Sequence, residues 1–226
     1  MSGQTTGRDE GTDNPRDHVA LRTTIAENFT GVYLTMLSII QGVALTDLST
    51  ITFDGREHFT AVNWIEVATM VWTLIYIWTH FMSDALMTRW IPDLEDAALL
   101  FGTGVFQLVA NHAIAWRPSA WLATLALMFF AWTAGTSYVR WQEERVVQDP
   151  KLLELLRRRM RPLLIQTMAG GAIVGALAIV CSRAPDNASL ALTGVVVAFI
   201  VSLTIGGFTT MNWRRVRRYA QTGSVS

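Results

Sequence analysis

Gln41, Glu66, Gln107 and Asn111 are polar side chains set inside long apolar runs, and they are the first residues that ask for a chemical reason. Glu66 belongs to a series, 66, 69, 73, 76, 80 and 84, whose steps of three or four put Glu66, Thr69, Thr73, Tyr76, His80 and Asp84 along one helix face. Asp96, Thr103, Gln107 and Asn111 do the same in the next apolar run. An ionisable group at the centre of a bilayer costs about 2.5–3.5 kcal/mol on insertion scales, so such stripes face one another, another subunit or water rather than lipid. Oxygen-rich stripes of this kind, ending in acids, favour a cation or a small polar solute. Gln41, Glu66, Gln107 and Asn111 are the candidate constriction, and His80, Asp84 and Asp96 the candidate inner mouth, with Asp93 and Arg89 nearby. The His80 imidazole, with a reference pKa of about 6.5, is suited to gating by protonation.

The same residues have simpler readings. Glu66 hydrogen-bonded to Gln41 or Asn111 would lock helices together. Asp84, Asp93 and Asp96 would pair with Arg89 or sit at a helix N-terminus, where the dipole favours acids. The three aspartates with His80 could hold a divalent metal, but their spacing is not diagnostic. Other chemistries find less support. His80 and His112 fall at opposite ends of their helices, so neither has a second histidine at its depth to bind haem. Neither G-x-S-x-G nor H-E-x-x-H is present, and no enzyme is expected. The only lysine, Lys151, lies in a connector, which excludes a retinal Schiff base within a bundle. Cys181 stands alone in an apolar run, so no internal disulfide forms. No cofactor is expected.

These residues are positioned by six apolar segments, at about 30–51, 61–82, 94–116, 120–141, 163–181 and 190–213. Each is long enough to cross roughly 30 Å of hydrocarbon at about 1.5 Å per residue. The chain is 51% hydrophobic and 16% charged, against about 25% charged in soluble domains. Six such segments leave almost no polar face for a soluble fold, and their continuity excludes the alternation of a barrel. The expectation is an all-α polytopic membrane protein with six transmembrane helices filling 29–213. A polar tail at 1–28 has no signal-peptide core and is expected to be disordered.

Charge orients the helices. With both termini cytoplasmic, fifteen Lys and Arg lie inside: Arg8, Arg16, Arg22, Arg89, Arg140, Arg145, Lys151, Arg157, Arg158, Arg159, Arg161, Arg214, Arg215, Arg217 and Arg218. Only Arg56, Arg117 and Arg183, three in all, lie outside. That asymmetry satisfies the positive-inside rule, and Trp90, Trp116, Trp121, Trp141 and Trp213 fall near the expected interfaces. A bacterial inner membrane is the expected location. In this orientation Glu66 lies in the outer half near Asn111, Gln41 and Gln107 near the middle, and His80, Asp84 and Asp96 near the inner surface. The cytoplasmic loop 142–162 has Asp149-Pro150 as a helix start and Leu152, Leu153, Leu156 and Met160 on one face, opposite arginines. It reads as a short basic amphipathic helix on the membrane surface, or as a connector enforcing topology. Its arginines lack interleaved aromatics, so nucleic acid is not an expected partner. A basic tail closes the chain at 214–226.

The last three segments are plainer. Gly171 and Gly175, beside Ala172 and Ala176, have the small-xxx-small spacing that lets membrane helices approach closely, as do Gly194, Ala198 and Ser202. Helix packing, within the chain or in a homo-oligomer, is their expected role. At the opposite end, Arg22 followed by Glu27-Asn28-Phe29-Thr30-Gly31-Val32-Tyr33 resembles the opening of a potassium-channel family that lacks a P-loop, with that motif's aspartate missing; Trp78-Thr79-His80 is loosely similar as well. The resemblance covers about a dozen residues. It implies six spans with cytoplasmic ends and cation passage. Channel or transporter is therefore the leading expectation, and a non-transporting sensor, effector or scaffold acting through the basic loop is the alternative.

Overall fold

A computed structural model describes residues 15–88, 94–146 and 150–222, and near the ends of those segments the backbone alone. The described residues form six helices: α1 (Pro15–Gly55), α2 (Ala61–Thr88), α3 (Leu94–Ala113), α4 (Pro118–Val146), α5 (Pro150–Arg183) and α6 (Ala188–Thr222). No strand occurs among the described residues. Their starts follow from local chemistry. Thr60 precedes α2, and its backbone N–H and hydroxyl both donate to Asn63 Oδ1, at 3.0 and 2.8 Å. The reach from the third helical residue back to the cap satisfies a donor that the helix leaves open. Asn187 caps α6 by accepting from the Leu190 N–H at 3.0 Å. Pro15, Pro118 and Pro150 stand at first helical positions, where the missing N–H costs nothing.

Among the described residues, five stretches are long and apolar enough to cross a membrane: Thr30–Gly55, Ala61–Ser83, Pro118–Trp141, Leu153–Arg183 and Ala188–Met211. A shorter apolar helix, Ala97–Ala113, lies in α3. Val32, Ile39, Val43, Ile75, Phe101, Val105, Leu127, Ile165, Ile173 and Ile200 are all exposed on the outside of the bundle. A water-soluble bundle puts polar groups there, so the exposed faces are those of an integral membrane protein. Hydroxyls in these helices are satisfied internally. Thr69, Thr73 and Thr103 donate to Ile65, Thr69 and Leu99 carbonyls at 2.7, 2.7 and 2.8 Å, which lets a threonine sit in hydrocarbon without an open donor.

Neighbour relations close a ring: α1 packs on α2 and α3, α3 on α4, α4 on α5, α5 on α6, and α6 on α2. One buried cluster draws Leu37, Met70, Leu100, Trp121, Val174 and Val195 from all six helices. A second joins Val139, Met160, Leu163 and Ile205.

Three segments differ from expectation. Residues 15–28, expected as a disordered tail, belong to α1; the stretch after Pro15 is rich in helix formers and continues without a break into the apolar run. The loop 142–162 is not a separate surface helix. Its flanks extend α4 to Val146 and begin α5 at Pro150, and α5 runs through Pro162. Leu156, Met160 and Leu163 are buried in this extension, so the apolar face meets protein rather than membrane. Asp149 lies outside the described residues. The third segment stops being α-helical at Ala113. Ile114, Ala115 and Trp116 then bond back three residues, at 3.1, 3.1 and 3.0 Å, a tightened final turn of 3₁₀ type before Pro118. Among the expected interface tryptophans, Trp116 and Trp141 are exposed and Trp121 is fully buried. Trp121 is one turn inside α4 and faces the core, so it is a packing residue. The side chains of Trp90 and Trp213 lie outside the described set.

Candidate functional site

The polar residues of α1, α2 and α3 form a chain of contacts. In its middle Gln41 and Gln107 exchange two hydrogen bonds: Gln41 Nε2 donates to Gln107 Oε1 at 3.1 Å, and Gln107 Nε2 to Gln41 Oε1 at 3.2 Å. Both side chains are buried. A reciprocal amide pair satisfies one donor and one acceptor on each partner, which is how two amides can sit together away from water.

One turn further along both helices, Asn111 Nδ2 donates to the Ala44 carbonyl at 2.9 Å and to Asp47 Oδ2 at 3.0 Å. The other oxygen of Asp47 faces His112 Nε2 at 3.3 Å. His112 is 59% exposed and Asp47 21%. The series therefore runs from a surface histidine through a half-buried acid to a fully buried amide. Asn111 Oδ1 is buried and accepts from no group among the described residues.

Glu66 reaches the same level from α2. Its Oε2 accepts from Asn63 Nδ2 at 3.4 Å, a long bond, and the same Nδ2 donates to the Ile114 carbonyl just past α3 at 3.0 Å. Glu66 is 1% exposed, and its Oε1 is buried without a partner among the described residues. Leaving a buried acceptor unmet costs about 1–3 kcal/mol, more for a charged group. Glu66 thus bonds neither Gln41 nor Asn111 in this structure. Asn63, three residues before the first member of the sequence stripe, is the residue that ties Glu66 to the end of the third apolar segment. Its signal was its place three residues before Glu66, on the same helix face.

His80 lies away from this chain. It is 5% exposed and sits among rings: Trp132 at 4.9 Å, Tyr76 at 5.9 Å in a stacked orientation, and Phe81 at 6.4 Å. A cleft with about 20 Å³ of free space adjoins it, lined by Leu99, Thr103, Trp132 and Thr136 among others. That is room for one water. The side chains of Asp84 and Asp96, and all of Arg89 and Asp93, lie outside the described residues. Of the expected inner mouth, His80 alone is therefore placed, and it is packed among aromatics. No group of three or more His, Cys, Asp or Glu among the described residues could hold a metal.

Hydrogen bonds also join this half of the bundle to α6. Trp72 Nε1 donates to the Ser202 carbonyl at 3.1 Å, and Tyr76 Oη and the Thr209 hydroxyl are 3.3 Å apart. Gly206 makes the first possible: a Cβ there would meet Trp72 Cζ2 at 2.8 Å. On the other side, Gly171 of α5 lies against Phe129 and Phe130 of α4, and Gly175 against Ala126. At the basic end of the α4–α5 pair, Glu144 Oε1 accepts from Arg140 Nε at 3.3 Å and Arg157 Nε at 3.2 Å. The Arg140 hydrogen bond, helped by Arg157 and opposed by partial desolvation, holds the Glu144 carboxyl below the usual carboxylate range. Arg145 stacks over the Trp141 ring at 3.5 Å.

No family model, curated protein or solved structure matches this chain. The class that the fold and exposure define is an integral membrane protein of apolar helices.

Proposed function

We propose that this protein is a six-span channel or transporter that passes a cation or small polar solute between α1, α2 and α3, with both ends in the cytoplasm. The observation that carries this reading is the pair of buried acceptors, Glu66 Oε1 on α2 and Asn111 Oδ1 on α3, left without donors among the described residues. A carboxyl kept only to lock helices together would be expected to spend both oxygens on partners, because the unmet one weakens the lock it serves. Acceptors held open in a membrane interior are the groups that coordinate a passing cation or hydrogen-bond a polar solute. The half-buried Asp47 and exposed His112 give the column an outer end, and the Gln41–Gln107 pair is its narrow point. The reciprocal bonds of that pair close the column in this conformation, so passage requires the two amides to part. The turn at Ile114–Trp116 lengthens α3 toward the outer surface, which supports counting it as a span. The asymmetry of fifteen Lys and Arg against three supports the orientation. A homo-oligomer in a bacterial inner membrane completes the proposal.

The test is flux of potassium, sodium and protons in proteoliposomes, comparing the parent protein with Glu66→Gln. Cation flux that the substitution abolishes or reselects is the expected result. No flux for any of the three at neutral and acid pH would overturn it. A second reading would then take its place. The exposed Arg157, Arg158 and Arg161 on the helical extension of α5 favour a non-transporting effector or scaffold that works through its basic cytoplasmic end.

A further inference from the structure

Glu66 and Asn111 share a defect with a single remedy. Each presents a buried oxygen that accepts from no N–H or O–H of a described residue. Asn63 Nδ2, which touches Glu66 Oε2 at 3.4 Å and the Ile114 carbonyl at 3.0 Å, places the carboxyl beside α3 one turn beyond Asn111. Metal coordination would need several more oxygens, whereas the Asn111 amide nitrogen and both Asp47 oxygens are already engaged. A proton on Glu66 needs no further ligands. It converts one of two open acceptors into a donor.

We propose that the guest of this site is a proton, carried by Glu66, donated in a hydrogen bond to Asn111 Oδ1, and exchanged with the outer surface past the Asp47–His112 pair. On release the Glu66 O–H bond breaks, the electron pair stays on the carboxylate, and the proton leaves toward Asp47 and His112. The proposal rests on the passage reading for its purpose and names the ion. Titratable groups on the helices packed against α2 are few. On α1 and α3, Asp47 and His112 pair at 3.3 Å beside Asn111. From α4 over 118–132 and α6 over 188–212 there is no titratable side chain. The remaining charges at the outer end, Asp54, Arg56, Glu57, His58, Arg117, Arg183 and Asp186, lie at helix ends or in connections. None bonds Glu66 Oε1.

The experiment is infrared spectroscopy of the full chain in lipid nanodiscs at neutral pH, in H₂O and after transfer to D₂O. The parent is expected to show a carboxylic acid C=O stretch that Glu66→Gln lacks and that shifts down on deuteration. Asn111→Leu should move that band to higher frequency, because its hydrogen bond is lost. Asp47→Asn should slow its deuteration several-fold. Absence of the band in folded parent protein would overturn the proton assignment. A band unmoved by Asn111→Leu would overturn the pairing, and unchanged deuteration in Asp47→Asn would overturn the outer route. Glu66→Gln is close in shape to the parent, and circular dichroism checks that each variant folds. A band present without cation flux leaves the proton site standing and sinks the passage reading; flux without the band does the reverse.

Discussion

The helices α1–α3 and α4–α6 solve the same problem, adhesion in lipid, by different means. In the first three, side-chain amides and carboxyls cross between helices: Gln41 with Gln107, Asn111 with Asp47 and the Ala44 carbonyl, Asn63 with the Ile114 carbonyl. In the last three, backbones approach over glycine and alanine. Gly171 faces Phe129 and Phe130, Gly175 faces Ala126, and Gly170 faces Val201 and Ile205. Polar links between these helices are fewer, as in the Thr133–Thr167 hydroxyl pair at 2.7 Å. Small-residue packing excludes water and leaves nothing to titrate. Polar adhesion holds donors and acceptors at defined depths, and there two acceptors are left over. Buried polar atoms without a partner among the described residues occur in both halves, Glu66 Oε1 and Asn111 Oδ1 in the first and Trp121 Nε1, Trp132 Nε1 and Gln166 Oε1 in the second; the carboxyl among them belongs to the first.

The two kinds of adhesion respond differently to substitution, most strongly at Gly171. Gly171→Leu should destabilise the α4–α5 contact by about 1–3 kcal/mol, because a Cβ alone already meets Phe130 Cε1 at 3.1 Å. Unfolding in mixed detergent micelles reads it. A change under about 0.5 kcal/mol, within the usual scatter of surface substitutions, would mean that close packing does not hold the second half. Gln107→Leu should cost about 1–2 kcal/mol, since it leaves the buried Gln41 amide unmet. The double variant with Gln41→Leu should recover most of that loss. A double variant no more stable than the single one would show that the amides contribute more than mutual satisfaction.

The smallest effect belongs to Glu144, at the basic end. Its carboxyl is held below the ordinary value of 4.5, first by the Arg140 hydrogen bond. A depressed folded-state value means the pair contributes stability above the unfolded value. That contribution is lost as pH falls through the folded one. Acidification should therefore lower the thermal midpoint of the parent slightly more than that of Glu144→Gln. The gap should shrink in high salt, because the group is exposed and screened. Equal responses of the two proteins would remove this ion pair from the account.

Much of this architecture was legible in the residues. The apolar runs at 61–82, 120–141 and 190–213 lie within α2, α4 and α6, since hydropathy is a local sum that tertiary contacts barely alter. The helical reading failed where composition was polar: residues 15–28 and most of 142–162 are helix, because propensity and continuity with a long helix outweigh polarity. The site was legible in its membership and not in its pairing. Gln41, Gln107 and Asn111 stand out as polar residues in apolar runs, but nothing in their spacing assigns Asn111 to Asp47 or Asn63 to the Ile114 carbonyl. Trp121 looked like an interface anchor by position along the chain and is core by rotation about the helix.

By itself, then, the sequence determined the solvent, the helices and the set of polar residues that cannot face lipid. Each is a property of composition summed along one helix. Only the tertiary structure decided which polar atoms meet and which stay open. Pairing depends on how neighbouring helices are rotated and offset, and about 1.5 Å of rise and 100° of turn separate consecutive residues. A slip of one residue changes every partner while leaving every apolar run intact.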